Sequence, residues 1–147
     1  MSNHQQVKIG VVGCGGRGRH HLERLATLDD VHVVAIADAS QEARTNVGDQ
    51  YDVARRFEGI DDLLDGADVD AVVLATPAHL NAATAAVSLE RGIDTLMEKP
   101  PGLGIDETRH LRDLAAASGA RGMVAWDRRF NPWLLAARER VAARGAV

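Results

Sequence analysis

The sequence predicts an α/β protein built on a doubly wound parallel sheet. Three observations carry that reading. Short apolar runs recur along the 147 residues without strict apolar–polar alternation, as strands covered on both faces require. Segments with helical caps and stops separate the runs. Four glycines, Gly13, Gly15, Gly16 and Gly18, crowd the exit of the first run in "IGVVGCGGRGRHH". Glycine inside a helix or strand costs ~0.5–1 kcal/mol relative to alanine, so this crowding needs a local reason.

The elements follow in order. Residues 7–12 form a buried strand, and a helix over about 17–28 places Leu22, Leu25 and Leu28 on one side. Residues 31–37, "VHVVAIA", form a second strand. Ser40 is an N-cap for a helix reaching about Gln50. A short strand near 54–57 precedes "IDDLLDG", a short helix closed by Gly66. Residues 71–75 are a strand, and 80–91 a helix stopped by Gly92. Residues 93–97 are a strand, 106–118 a helix stopped by Gly119, and 122–126 a last strand. Asn131 and Pro132 read as N-cap and first residue of a helix to about Ala143. The β–α alternation, twice over, gives the expected strand order 3-2-1-4-5-6. The length suits one domain.

Composition narrows the function. Net charge is −4 and the pI about 5.8, which argues against non-specific nucleic-acid binding. From Arg121 onward six Arg stand against Asp127 and Glu139. That segment is either a solvated basic helix or a face for an acidic substrate or partner. Cys14 is the one cysteine. It allows no disulfide framework and no cysteine metal cluster, and it suits a reducing cytoplasm. No run approaches the length of a membrane span, and the start "MSNHQQVK" lacks the apolar core of a signal peptide.

Gly13, Gly15 and Gly18 fit G-x-G-x-x-G between a strand and a helix, the context that makes the motif informative. Gly13 permits the tight turn, Gly15 lets backbone approach a pyrophosphate, and Gly18 lets the helix pack close to the sheet. The helix N-terminus, with Gly16 in the loop, offers N–H groups and partial positive charge to phosphates. Asp38 ends the second strand, 20 residues after Gly18. Its carboxylate either accepts both adenosine-ribose hydroxyls, favouring NAD(H) over NADP(H), or caps the following helix. Arg17 touches a phosphate or sits in solvent. Cys14 reads as a small loop residue.

Ligands on open α/β sheets bind beyond the carboxyl ends of the strands. There stand the glycine loop, Asp38, "ATPAHLN", "MEKPPG" and "WDRRFNP". Two prolines stiffen the exit after Glu98 and Lys99. A lysine there could stabilise a substrate oxygen as it loses its proton; the plain alternative is a surface Glu–Lys pair.

These segments together resemble the N-terminal NAD(P)-binding domain of the glucose–fructose oxidoreductase / inositol dehydrogenase (Gfo/Idh/MocA) family. The carriers are "GVVGCGGRGRHH" with Gly13, Gly15, Gly18 and His21, "VVAIADAS" with Asp38, "VVLATPAHL", "RGIDTLMEKPPG" and "WDRRFNP". The resemblance covers nearly the whole chain and implies a Rossmann-type dinucleotide-binding fold. It further implies hydride transfer between NAD(P) and a sugar, cyclitol or related alcohol. Lys99 would match the active-site lysine and Pro100 its neighbour. Thr76 and Pro77 would match the loop under the nicotinamide half. Arg129 and Phe130 would match the segment leading to the substrate domain.

Two departures stand out. The family often has histidine four residues after the proline of the Thr-Pro step. Here that place holds Asn81, with His79 two residues earlier as a ligand contact or a helix-start residue. The family's α+β substrate domain, with its Asp and His for proton transfer, has no counterpart in residues 1–147. His4, His20, His21, His32 and His110 are not expected as catalytic bases. The expectation is therefore a dinucleotide-binding domain, with NAD as cofactor and a polyol or sugar as partner, inactive alone. The last helix, through Trp133, Leu134, Ala137 and Val141, either packs on its own sheet or faces the substrate domain or a second copy in a homo-oligomer. An NAD(H)-binding sensor or scaffold is the alternative function, and a methyltransferase a third.

Overall fold

The structure is a computed structural model and describes residues 6–145, so His4 lies outside it. The elements are β1 (Val7–Val12), α1 (Gly16–Leu25), β2 (Val31–Ala37), α2 (Gln41–Gln50), β3 (Arg55–Phe57) and α3 (Ile60–Gly66), followed by β4 (Ala71–Leu74), α4 (Ala78–Glu90), β5 (Asp94–Met97), α5 (Ile105–Ser118), β6 (Gly122–Val124) and α6 (Pro132–Ala143). All strand pairs are parallel and the order is β3-β2-β1-β4-β5-β6, as the alternation predicts.

The local signals act where they were read. Ser40 caps α2 by accepting from the Ala43 N–H at 3.2 Å. Asn131 caps α6 by accepting from the Trp133 N–H at 2.9 Å, with Pro132 first in the helix. Gly92 and Gly119 follow α4 and α5, and Gly66 is the last residue of α3. Two ends differ. Helix α1 stops at Leu25, because Thr27 and Leu28 bond back three residues at 3.1 Å and tighten the chain into a turn. Strand β6 stops at Val124; Trp126 bonds back to Val124, and a 3-10 turn over Asp127–Phe130 follows where loop was expected.

Side-chain alternation divides the apolar runs between two layers. Ile9, Val11, Ile36 and Val73 point to one face and pack with Leu22 of α1 and Val47 of α2. Val12, Ala35, Ala37, Val72 and Leu74 point to the other and pack with Leu63 of α3, Leu89 of α4 and Leu111 of α5. Three helices thus cover the second face across its width. On the first, the β4–β6 side is an open apolar depression of about 370 Å³, lined by Leu25, Ala71, Val73, Leu96 and Met123. Helix α6 does not fill it. It carries no buried residue, and Trp133 is 83% exposed. Of the two arrangements open to this helix in the sequence, the structure excludes packing on its own sheet.

Burial decides the cost of truncation. Leu22→Ala, at a 1% exposed site, is expected to lower stability by about 2–5 kcal/mol. Trp133→Ala is expected to stay within about 0.5 kcal/mol. Urea denaturation followed by far-UV circular dichroism checks both, and equal losses would contradict this packing.

Candidate functional site

The register brings the strand exits level. Phe57 pairs with Ala37, Ala37 with Val12, Val12 with Leu74, Leu74 with Met97 and Met97 with Val124. The residues that follow, Gly13, Asp38, Thr76, Glu98, Lys99 and Trp126, therefore share one rim of the sheet.

Backbone crowding shapes the glycine turn. Gly13 has φ +99°, and a Cβ there would lie 2.5 Å from the Ala75 carbonyl oxygen. A Cβ on Gly18 would lie 1.7 Å from the Gly13 oxygen. Only hydrogen at both positions lets α1 begin directly against the end of β1. Gly15 is the reverse case: nothing lies within 4 Å of a Cβ built there, and Gly16 beside it is exposed. No side chain caps α1, and its first turn has no acidic residue. Its N–H groups and positive dipole end therefore face the rim uncompensated, a setting for an anion.

Asp38 holds this turn. Its Oδ2 accepts from the Cys14 N–H at 2.7 Å and its Oδ1 from the Ser40 N–H at 2.8 Å. The cap of α2 is Ser40, so Asp38 braces two loops instead of capping the helix. Each carboxylate oxygen keeps lone-pair capacity for a further donor. Asp38 also lines a cleft of about 450 Å³ with Gly13, Ile60, Thr76, Pro77 and Leu80. Burial, aided by the Asp38 charge, pushes the Cys14 thiol up to about 11. It is a neutral loop group at physiological pH.

Glu98 ties β5 to α1. Its side chain is 6% exposed. Oε1 accepts from Arg17 Nε at 2.8 Å and Nη2 at 2.5 Å, and lies 2.9 Å from His21 Nε2. Burial opposes ionisation, yet the hydrogen bonds from Arg17 and His21 outweigh it and hold the Glu98 carboxyl below its ordinary value. Arg17 is thus neither free in solvent nor uncommitted. It spans from the glycine turn to the exit of β5.

Lys99 follows with an exposed side chain, a cis bond to Pro100, and no hydrogen bond or ion pair among the described residues. The Glu–Lys step is therefore not a surface pair, since Glu98 turns inward to α1. His79 is exposed in the first turn of α4. Asn81, fully buried, donates to the carbonyls of Glu98 and Pro100 and accepts from the Thr76 hydroxyl at 3.0 Å. Near the end of β6, the Arg129 guanidinium lies 5.3 Å from the Trp126 ring centroid. No group of three metal-ligating side chains occurs among the described residues.

The sequence marks His21 and Asn81 but gives neither a role at this rim. The role of His21 could have been found: Arg17 and His21 are one helical turn apart, so both present to one partner. That of Asn81 left no local signal, because its partners come from outside α4.

An uncapped helix end, an open position at Gly15, and a carboxylate at the second strand beside a cleft that Gly13 also lines fit a dinucleotide. The fold and rim define a Rossmann-type dinucleotide-binding domain. The chain belongs to the Gfo/Idh/MocA family: residues 7–126 match "Oxidoreductase family, NAD-binding Rossmann fold". It is 30% identical over 138 residues to the rhizopine catabolism protein MocA of Rhizobium meliloti, covering 94% of this chain and 43% of that protein. It is also 30% identical over 135 residues to inositol 2-dehydrogenase of Rhizobium meliloti (strain 1021), covering 92% and 40%. A solved scyllo-inositol dehydrogenase from Lactobacillus casei, with bound NAD(H) and scyllo-inositol, superposes with TM-score 0.87 at 26% identity, covering 96% of this chain and 42% of that one. The chain thus spans well under half the length of these relatives, and residues 7–126 match the family's NAD-binding fold. No helix among the described residues is long and apolar enough to cross a membrane.

The Glu98 geometry sets a pH dependence. Its folded pKa lies below the ordinary 4.5. Its contribution is therefore complete above that value and lost as pH falls through the folded pKa. Glu98→Gln is expected to cost about 1–3 kcal/mol at pH 7. The gap to the wild type should shrink in acid. Urea denaturation at several pH values checks this, and a gap unchanged by pH would show that the charge is irrelevant.

Proposed function

We propose that residues 1–147 form the dinucleotide-binding domain of an NAD-dependent dehydrogenase acting on a CH–OH group of a cyclitol, sugar or related alcohol. The observation that carries the reading is the uncommitted Lys99 side chain on the same rim as the glycine turn and Asp38. NAD would supply the hydride acceptor or donor. The α1 N-terminus, with Gly13, Gly15, Gly16 and Gly18, would hold the pyrophosphate, and Asp38 the adenosine ribose. Arg17 and Glu98 would steady the turn, while Thr76, Pro77, His79 and Pro100 would border the nicotinamide half. Lys99 Nζ would hydrogen-bond the substrate hydroxyl oxygen and stabilise it as its proton leaves.

Substrate orientation and exclusion of water both need a second wall. The described residues leave Lys99 open on that side, and the matched relatives are more than twice as long. The substrate domain would supply that wall, and the exposed α6 stripe would pack against it or against a second copy. A cytoplasmic setting accords with a single, free, buried cysteine.

Two variants test the cofactor assignment. Asp38→Ala is expected to weaken NADH binding about tenfold or more, from loss of charged hydrogen bonds, and to narrow the preference over NADPH. Wild-type protein that binds NADPH as well as NADH would sink the ribose role. Gly15→Val is expected to abolish NADH binding with little change in melting temperature. A large drop in melting temperature with binding intact would make Gly15 a folding residue alone. Titration by NADH fluorescence and thermal circular dichroism give both readings.

A further inference from the structure

Asn81 is a buried polar side chain at the rim that the assigned roles leave unused. It is 0% exposed, in the first turn of α4, and every part of its amide is engaged. Nδ2 donates to the Glu98 carbonyl and, at 2.9 Å, to the Pro100 carbonyl. These two carbonyls flank Lys99. Backbone carbonyls only accept, so they fix which end of the amide is nitrogen. Oδ1 must then face Thr76, 3.0 Å from its hydroxyl. The Thr76 proton is consumed in that bond. Toward the cleft, which Thr76 lines, the hydroxyl can offer only lone pairs.

We propose that Asn81 is the positioning residue of the nicotinamide edge: it pins the backbone on both sides of Lys99 and turns the Thr76 hydroxyl into an acceptor for an N–H of the ligand. The partner group is the nicotinamide carboxamide N–H, which ADP-ribose lacks. This inference rests on the cleft being the NAD(H) site. The side chain is well matched to the task. Aspartate has the same shape but no donors when ionised, and serine has one donor for two carbonyls. Asn81 thereby joins the loop after β4 to the loop after β5 through one side chain. A ligand that settles on Thr76 meets a Lys99 already in place.

The test compares two ligands on the whole chain. ADP-ribose shares the adenosine and pyrophosphate with NADH but has no nicotinamide. Asn81→Asp and Thr76→Val are each expected to weaken NADH by about three- to tenfold, the range of one hydrogen bond, with ADP-ribose affinity unchanged. Thr76→Val removes a hydroxyl from a half-buried loop position and guards against a folding failure of the buried variant. In parallel, acetylation of Lys99, read by peptide mass spectrometry, is expected to be slowed by NADH in the wild type. It should be slowed much less in Asn81→Asp. Equal losses for NADH and ADP-ribose in Thr76→Val would overturn the proposal, as would full NADH protection of Lys99 in a folded Asn81→Asp. A wild-type chain that binds neither ligand would overturn the cofactor assignment and this proposal with it. Wild-type binding of both, with the variants unchanged, would overturn this proposal alone.

Discussion

The buried carboxylate of Glu98 is the constraint on which the rim depends. It stands at the exit of β5, yet its partners, Arg17 and His21, belong to α1, which follows β1. Its own N–H bonds to the Leu74 carbonyl at the end of β4. One residue therefore joins three strand exits whose sequence separations reach 81 positions. An ionised carboxylate removed from water is costly unless hydrogen bonds and opposite charge surround it. Leaving the site is thus unfavourable for any of its members, and α1 is held at a fixed place relative to Lys99. Asp38 does the same on the other flank, between the glycine turn and the start of α2.

Much of this was legible in the sequence because its causes are local. A capping serine or asparagine bonds within three residues, and Ser40 and Asn131 behave accordingly. Apolar runs of four to seven residues between caps leave few arrangements other than parallel strands with helical crossovers. The glycine string implied close backbone approach, and the approach is there, at Gly13 and Gly18. The site was less legible where its contacts are remote in the chain. Lys99 and Asp38 could be placed at strand exits by counting. Nothing local said that Glu98 would turn inward to Arg17, or that Asn81 would reach past Lys99 on both sides. Such pairings depend on the lateral order and register of the strands, which follow from tertiary packing.

The uneven cover of the sheet has a related origin. A right-handed crossover sends α1 and α2 to one face over β1–β3, and α4 and α5 to the other over β4–β6. The first face beyond β1 has no crossover helix of its own. Its residues Ala71, Val73, Leu96 and Met123 are apolar all the same. They have the character of a surface meant to be covered, as do Trp133 and Leu134 on α6. The rim is thus ordered from within, while the apolar side of the β4–β6 half stays open among the described residues.

The exposure of both tryptophans governs how this protein looks to light. Trp126 is 51% and Trp133 83% exposed, and the chain has no others. An indole already in water changes its emission little when the chain around it melts. Intrinsic fluorescence is accordingly a poor reporter of the core, where Leu22, Ile36 and Leu63 carry no signal. It is a direct reporter of the edge, since Trp126 follows β6 and stacks against Arg129. Any molecule that dries or quenches that corner will shift the spectrum without a helix or strand having moved.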